Sequence, residues 1–321
     1  MVFIEYIKRS AWGAVLLSLF VLLALRVTFL LVGQSQTHVD VVVVLLTVFP
    51  VLATGIILTL FCDTYDLLPD RTRWIVVTYA WLTALSPQSY MAWQGAVAGV
   101  FVTAALYRLA IGSQEQLGRS HAFMGAFYIA CATLLFRPAL LLYIPLIIGL
   151  LNLSEVTFKN FLAFLGGIVT PFILLFAGFW FLGYDFWSYA QEMAQDLSIQ
   201  KLSFGMAGIP LTRLIPAVVF ILLLLVAVAV KCMRRESSGS LNKSRFYYSM
   251  FWFLVFSALG LILWPEHVYG FAVLFMIPAS YFLTALFSSK KIFGAYVWMA
   301  LFILASVVYF VEGLGVLPSG F

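Results

Sequence analysis

Three observations predict an all-α, polytopic integral membrane helix bundle. The chain of 321 residues is 64% hydrophobic and only 10% charged, it carries repeated apolar runs of spanning length, and its basic residues cluster in alternate loops. A water-soluble fold cannot cover its surface with so few charges, whereas lipid solvates apolar side chains directly. A cytosolic enzyme, a secreted domain and a disordered regulator are therefore excluded. The 17% aromatic share suits lipid-facing surfaces and interfacial belts. Cys62, Cys131 and Cys232 are too few and too separated for a disulfide framework or a metal cluster.

The elements follow in order. Lys8 and Arg9 precede an apolar run from Ala11 to Val32 that is longer than a signal-peptide core, so it reads as an uncleaved first span. Further spans are predicted at Val41 to Phe61, Phe161 to Leu182, Leu214 to Val230, Phe246 to Leu263, Phe271 to Phe287 and Ile292 to Phe310, each near the ~20 residues that a crossing helix needs. Two regions differ. Trp74 to Ala110 is broken at Ser86-Pro87-Gln88, and Phe123 to Leu151 at Arg137-Pro138. Their first halves, Ile75 to Leu85 and Phe123 to Phe136, would rise only ~17 to 21 Å, so they form short spans or re-entrant hairpins. The two broken pairs resemble each other as a weak internal repeat. Counting all halves gives about 11 helices in a single transmembrane domain over 1–321. Between spans, Phe186, Tyr189, Ala190, Met193, Ala194 and Leu197 recur at helical spacing, which predicts an amphipathic segment over about 184–202 that lies along the outer surface.

With the N-terminus in the cytoplasm, Lys8, Arg9, Arg71, Arg73, Arg108, Arg119, Lys159, Lys231, Arg234, Arg235, Lys243, Arg245, Lys290 and Lys291 all fall inside. These are 14 of the 18 basic residues. The net charge of +5 is then a topological signal, and nucleic acid is not a partner. The C-terminus, with Glu312, falls outside.

The four remaining cations are Arg26, Arg137, Lys201 and Arg213, at or near the outer leaflet. An arginine within the membrane snorkels, pairs or lines a polar cavity. Arg26 is either a snorkelling residue or part of an anion-binding wall. Arg137, at a hairpin tip before Pro138, either grips a phosphate with its planar fork or forms a local ion pair that holds the tip. Asp40 opens the second helix as a cap or serves as a general base. Glu266-His267 reads as a solvated turn. Asp63, Asp66 and Asp70, beside Arg71 and Arg73, read as a cytoplasmic turn more than as a magnesium site. No Walker, HExxH, GxSxG, Rossmann-glycine or CxxC motif is present, and neither metal nor cofactor is expected.

Tyr79-Ala80-Trp81-Leu82-Thr83-Ala84-Leu85-Ser86-Pro87-Gln88, followed by a helix closing on Leu106-Tyr107-Arg108, resembles the short paired helices of GT-C-type membrane glycosyltransferases. Leu134-Leu135-Phe136-Arg137-Pro138-Ala139 before Leu140 to Pro145, and Leu23-Ala24-Leu25-Arg26 in the first span, are similar to that family too. The resemblance covers roughly the first 180 residues. The overall layout also resembles small bacterial multi-pass inner-membrane proteins of unknown function. The GT-C resemblance implies a polyprenyl-phosphate-linked sugar held from the outer side, with an acid of the first outer loop acting in the transfer. Asp40 is the position that matches, although Gln34 to Asp40 is a short linker with one acid where the family has a long loop with an acidic pair.

Three functions are expected from this. The first is an outer-face glycosyltransferase-like protein of envelope polysaccharide assembly, in which Arg26, Arg137 and Arg213 hold the lipid phosphate and Asp40 acts as base. The second is a non-catalytic scaffold that binds a polyprenyl lipid or a partner protein and helps assemble or move envelope components, sensitive at Arg137 and tolerant at Asp40. The third is a small-molecule transporter, for which the spans carry almost no ionisable residues at mid-depth.

Overall fold

A run of apolar residues with few breakers can satisfy its backbone in lipid only by coiling on itself. The computed structural model describes residues 11–32, 41–68, 73–85, 92–112, 119–153, 158–197, 211–233, 241–287 and 295–313. Twelve α-helices and two short 3-10 segments occur among them, and no strand. We number the helices α1 Ala11–Val32, α2 Val41–Thr64, α3 Trp74–Leu85, α4 Trp93–Gly112, α5 Arg119–Leu135, α6 Tyr143–Leu153, α7 Phe158–Leu182, α8 Phe186–Leu197, α9 Leu211–Met233, α10 Leu241–Leu263, α11 Val268–Phe287 and α12 Ala295–Gly313. The 3-10 segments are Arg137–Leu142 and Pro265–His267. Leu46–Thr64, Trp93–Ile111, Phe158–Leu182, Phe246–Leu263 and Pro265–Phe287 are long and apolar enough to cross a membrane. The all-α membrane bundle is thus the observed architecture.

The chain forms two compact units, each assembled from separate stretches of sequence. The first comprises residues 1–93, 204–237 and 276–321, and so holds α1, α2, α3, α9, α12 and the second half of α11. Helix α3, only 12 residues long, packs against both α1 and α2. Ala14, Val76 and Val77 form one buried cluster, with Leu17 and Trp74 packed against it. At Gly55 a Cβ would lie 2.7 Å from Val76 Cγ2, so glycine there lets α2 and α3 approach closely. From Ile277 to Leu286 nearly every side chain of α11 is buried, which is the signature of a helix apolar all round. Tyr281 within it donates its hydroxyl to the Leu67 carbonyl at 3.2 Å, fixing the turn that follows α2. Phe302 of α12 meets Phe220 of α9 at 6.5 Å and Phe287 at 5.5 Å between ring centroids.

The second unit comprises residues 94–203 and 238–275. Helix α5 packs most extensively against α7, and α6 against α10. Small residues set these approaches. A Cβ at Gly167 would run into the Phe123 carbonyl oxygen, and one at Gly149 would lie 3.0 Å from Ser249 Oγ. Gly95 of α4 faces Gly270 of α11 so closely that a Cβ on Gly95 would stand 2.6 Å from the partner Cα. Close backbone contact of this kind drives helix association where lipid offers no hydrophobic advantage.

The second Pro-broken pair appears as α5, the 3-10 segment and α6, of 17, 6 and 11 residues. The first pair, α3 and α4, has 12 and 20 residues, so the longer member comes second in one pair and first in the other. The weak repeat therefore does not extend to helix lengths. Residues 86–91, which carry its Pro87 break, lie outside the described residues. Buried hydroxyls turn back on their own helices: Ser18 to the Ala14 carbonyl, Thr103 to Gly99, Thr133 to Ile129, Ser257 to Phe253 and Ser306 to Phe302, at 2.6 to 2.8 Å. Each polar group is thereby satisfied without a partner from another helix.

Candidate functional site

The informative chemistry lies where α5 stops. Pro138 has no N–H to continue the α5 ladder, which leaves the Leu134 carbonyl without its usual partner four residues on. The chain responds locally. Phe136 leaves the helix at φ −131° and ψ 89°, and Arg137–Leu142 winds as a tighter 3-10 turn, with Ala139 N–H donating to the Phe136 carbonyl at 2.9 Å. The orphaned Leu134 carbonyl is met from outside the helix, by the Tyr189 hydroxyl of α8 at 3.4 Å.

Tyr189 belongs to a larger contact. Arg137 donates from Nη1 to Asp196 Oδ2 at 2.5 Å and from Nη2 to Glu192 Oε2 at 3.1 Å, while its Cζ lies 5.3 Å from the Tyr189 ring centroid. Residues 189, 192 and 196 are three and four apart, so they stand on one face of α8 and converge on one guanidinium. Burial alone would lower the Arg137 pKa, but its hydrogen bonds to Glu192 and Asp196, and the Asp196 charge, outweigh it and raise the value. The cation is thus charged across the ordinary pH range and engaged by both carboxylates. One guanidinium against two carboxylates leaves a local charge of −1, so an incoming phosphate would have to displace a carboxylate and meet repulsion from the other.

Beneath the turn, Phe136 makes edge contacts with His267 at 5.8 Å and Phe271 at 5.3 Å, and Phe271 stacks on Trp264 at 5.9 Å. His267 is therefore a packing residue, and Glu266 beside it is exposed. The expected solvated turn is a 3-10 segment in which Glu266 is exposed but His267 is part-buried against Phe136.

The amphipathic segment forms α8, Phe186–Leu197; residues 198–202 of the predicted range lie outside the described residues. It is entered through a built joint. Gly183, at φ 74°, ends α7 with N–H bonds from Gly183 to the Trp180 carbonyl and from Tyr184 to the Phe179 carbonyl, the arrangement that closes a helix on a left-handed glycine. Asp185 caps α8 by accepting the Trp187 N–H at 2.9 Å. The apolar face of α8 packs on α7, with Phe186 at 5.1 Å from Phe176 and Tyr189 at 5.4 Å from Phe179.

Of the other predicted site residues, Asp40 lies outside the described residues. Arg26 sits in α1 and Arg213 in the first turn of α9, with their side chains outside the description. Asp63 and Arg73 form an ion pair at 3.5 Å, both part-exposed, and Asp66 occupies the turn after α2 with φ 47°. No group of three or more His, Cys, Asp or Glu that could hold a metal occurs among the described residues. Glu192 and Asp196 fall between the apolar positions of the predicted amphipathic segment. Their spacing of four on a predicted helix was the available signal that both could reach one cation.

Five helices long and apolar enough to cross a membrane, with the amphipathic helix α8 tied to the end of α5, define a multi-pass helical membrane protein. Over residues 13–317 the chain matches the family of unknown function DUF6427, and it belongs to that family. No curated protein and no solved structure matches it.

Proposed function

We propose that the protein is a non-catalytic helical scaffold of the bacterial inner membrane, with its N-terminus cytoplasmic and its C-terminus outside, which binds membrane lipid or a partner protein in envelope assembly. The observation that carries this reading is the engagement of Arg137 by Glu192 and Asp196: the described cation best suited to grip a phosphate is already bridged to a neighbouring helix. The orientation rests on the concentration of 14 of 18 basic residues in one set of loops.

The rival reading, a glycosyltransferase-like enzyme for polyprenyl-phosphate-linked sugars, rests on residue rhythm and on Asp40, Arg26 and Arg213. Complementation of a deletion strain separates the two, with protein level measured in the same membranes. The scaffold predicts that Asp40→Asn complements, that Arg137→Ala fails, and that the double variant Glu192→Gln/Asp196→Asn fails likewise, because it opens the same clasp. A lipid-phosphate enzyme predicts loss at Asp40→Asn, and retained function in the double variant, which frees Arg137 for the phosphate. Loss at Asp40→Asn with normal protein level would overturn the proposal.

A further inference from the structure

The joint between α7 and α8 exposes four aromatic rings, and they carry an inference of their own. Trp180 is 78% exposed, Phe181 84%, Tyr184 67% and Trp187 74%. Rings that are merely displaced from a core belong to loosely held segments, yet this segment is held at four points: the Gly183 closure, the Asp185 cap, the packing of Phe186 and Tyr189 on α7, and the Arg137 clasp. The joint is built, and it is built to face outward.

What it faces follows from continuity with α7. That helix is the least enclosed of the five crossing helices, with 17% of its apolar window buried against 39 to 78% for the others. Phe161, Leu162, Leu165, Val169, Ile173, Leu174 and Phe176 are all exposed along it, a surface that only hydrocarbon solvates well. Lys159 lies in the first turn of the helix, and the 21 residue steps from there to Trp180 rise about 32 Å, close to the ~30 Å hydrocarbon thickness. With Lys159 at one boundary, Trp180 through Trp187 arrive at the other. Tryptophan and tyrosine favour that layer, where an apolar ring body meets lipid and a polar edge meets water. Beyond them α8 exposes Gln191, and Glu192 beside its Arg137 contact, both of which belong in water.

We propose that the α7–α8 joint is a membrane-interface anchor: Trp180, Phe181, Tyr184 and Trp187 seat in the headgroup layer of one leaflet and fix the depth of the joint, while Gln191 and Glu192 stay on the aqueous side. The partner is the phospholipid interface itself. Because Asp185, Glu192 and Asp196 leave the segment acidic, zwitterionic headgroups suit it better than anionic ones.

The test uses the full chain in phosphatidylcholine vesicles, with the native cysteines replaced and spin labels placed by Leu174→Cys, Tyr184→Cys, Trp187→Cys and Gln191→Cys, each checked for monodisperse elution. Expected is oxygen-dominated relaxation at 174, nickel-chelate-dominated relaxation at 191, and the crossover between them at 184 and 187. Labels at 184 and 187 that match 191 overturn the anchor in favour of a water-exposed joint. Labels shielded from both reagents overturn it in favour of a protein cover, such as a second copy. A second measurement needs no label: replacing two of the nine tryptophans, as Trp180→Phe/Trp187→Phe, should reduce quenching by lipids brominated near the glycerol more than by lipids brominated near the chain ends. An equal or reversed depth dependence overturns the proposal.

Discussion

At Arg137 a single side chain does the joining, and its worth can be bounded. Its carboxylate partners are half-exposed to exposed, so the bond strength sits near the surface ion-pair range, on the order of 1 kcal/mol. Arg137→Ala should therefore speed amide exchange across residues 186–197 about fivefold, as read by mass spectrometry on the detergent-solubilised protein. Arg137→Lys should fall between the two, because a point charge cannot present two parallel donors to Glu192 and Asp196. The upward shift of the Arg137 pKa means that its stabilisation is fully present below the ordinary guanidinium range and is lost only as pH climbs through the raised value. Exchange across 186–197 should accordingly show no loss of protection attributable to this group between pH 6 and 9 on the scale set by ordinary ionisation ranges. Tyr281→Phe deletes the buried donor to the Leu67 carbonyl and should cost about 1 kcal/mol, visible as a lower thermal midpoint with unchanged helical signal at room temperature.

Among the helices, glycines divide into those that set a contact and those that do not. Gly167→Ala forces a methyl onto the Phe123 carbonyl oxygen and should destabilise by about 1 to 3 kcal/mol, whereas Gly178→Ala on the same helix meets nothing within 4 Å and should be close to neutral. Thermal unfolding of the two variants in one detergent gives the comparison. The sequence makes the spans legible for a plain reason: a run of apolar residues near 20 long has few alternatives to a helix. Ala11–Val32 agrees with its predicted bounds, and Phe158–Leu182 extends its prediction by three residues at the start. The end of α5 was legible too, from Pro138. The clasp was not, because partners 55 and 59 residues away leave no mark in local pattern beyond the spacing of Glu192 and Asp196 on their own helix. The 3-10 form of Arg137–Leu142 was equally hidden, since composition distinguishes it poorly from the first turn of α6.

For the whole molecule, membrane character follows from bulk composition, while the division into two units does not, because it depends on which distant segments meet. Each unit is discontinuous: the second joins residues 94–203 to 238–275, and α11 passes from one unit to the other at residues 275 and 276. This layout has a consequence for biosynthesis. As the ribosome releases the chain from its N-terminus, α6 is made about a hundred residues before α10, the helix it packs against, and α1 to α3 wait longer still for the end of α11. The inserted helices must therefore be held in lipid as unfinished units, and release of the last spans completes both. A fragment that ends at residue 237 lacks α10 and should be cleared by membrane proteases even though its second unit is three-quarters written, and supplying residues 238–321 as a separate polypeptide should restore it.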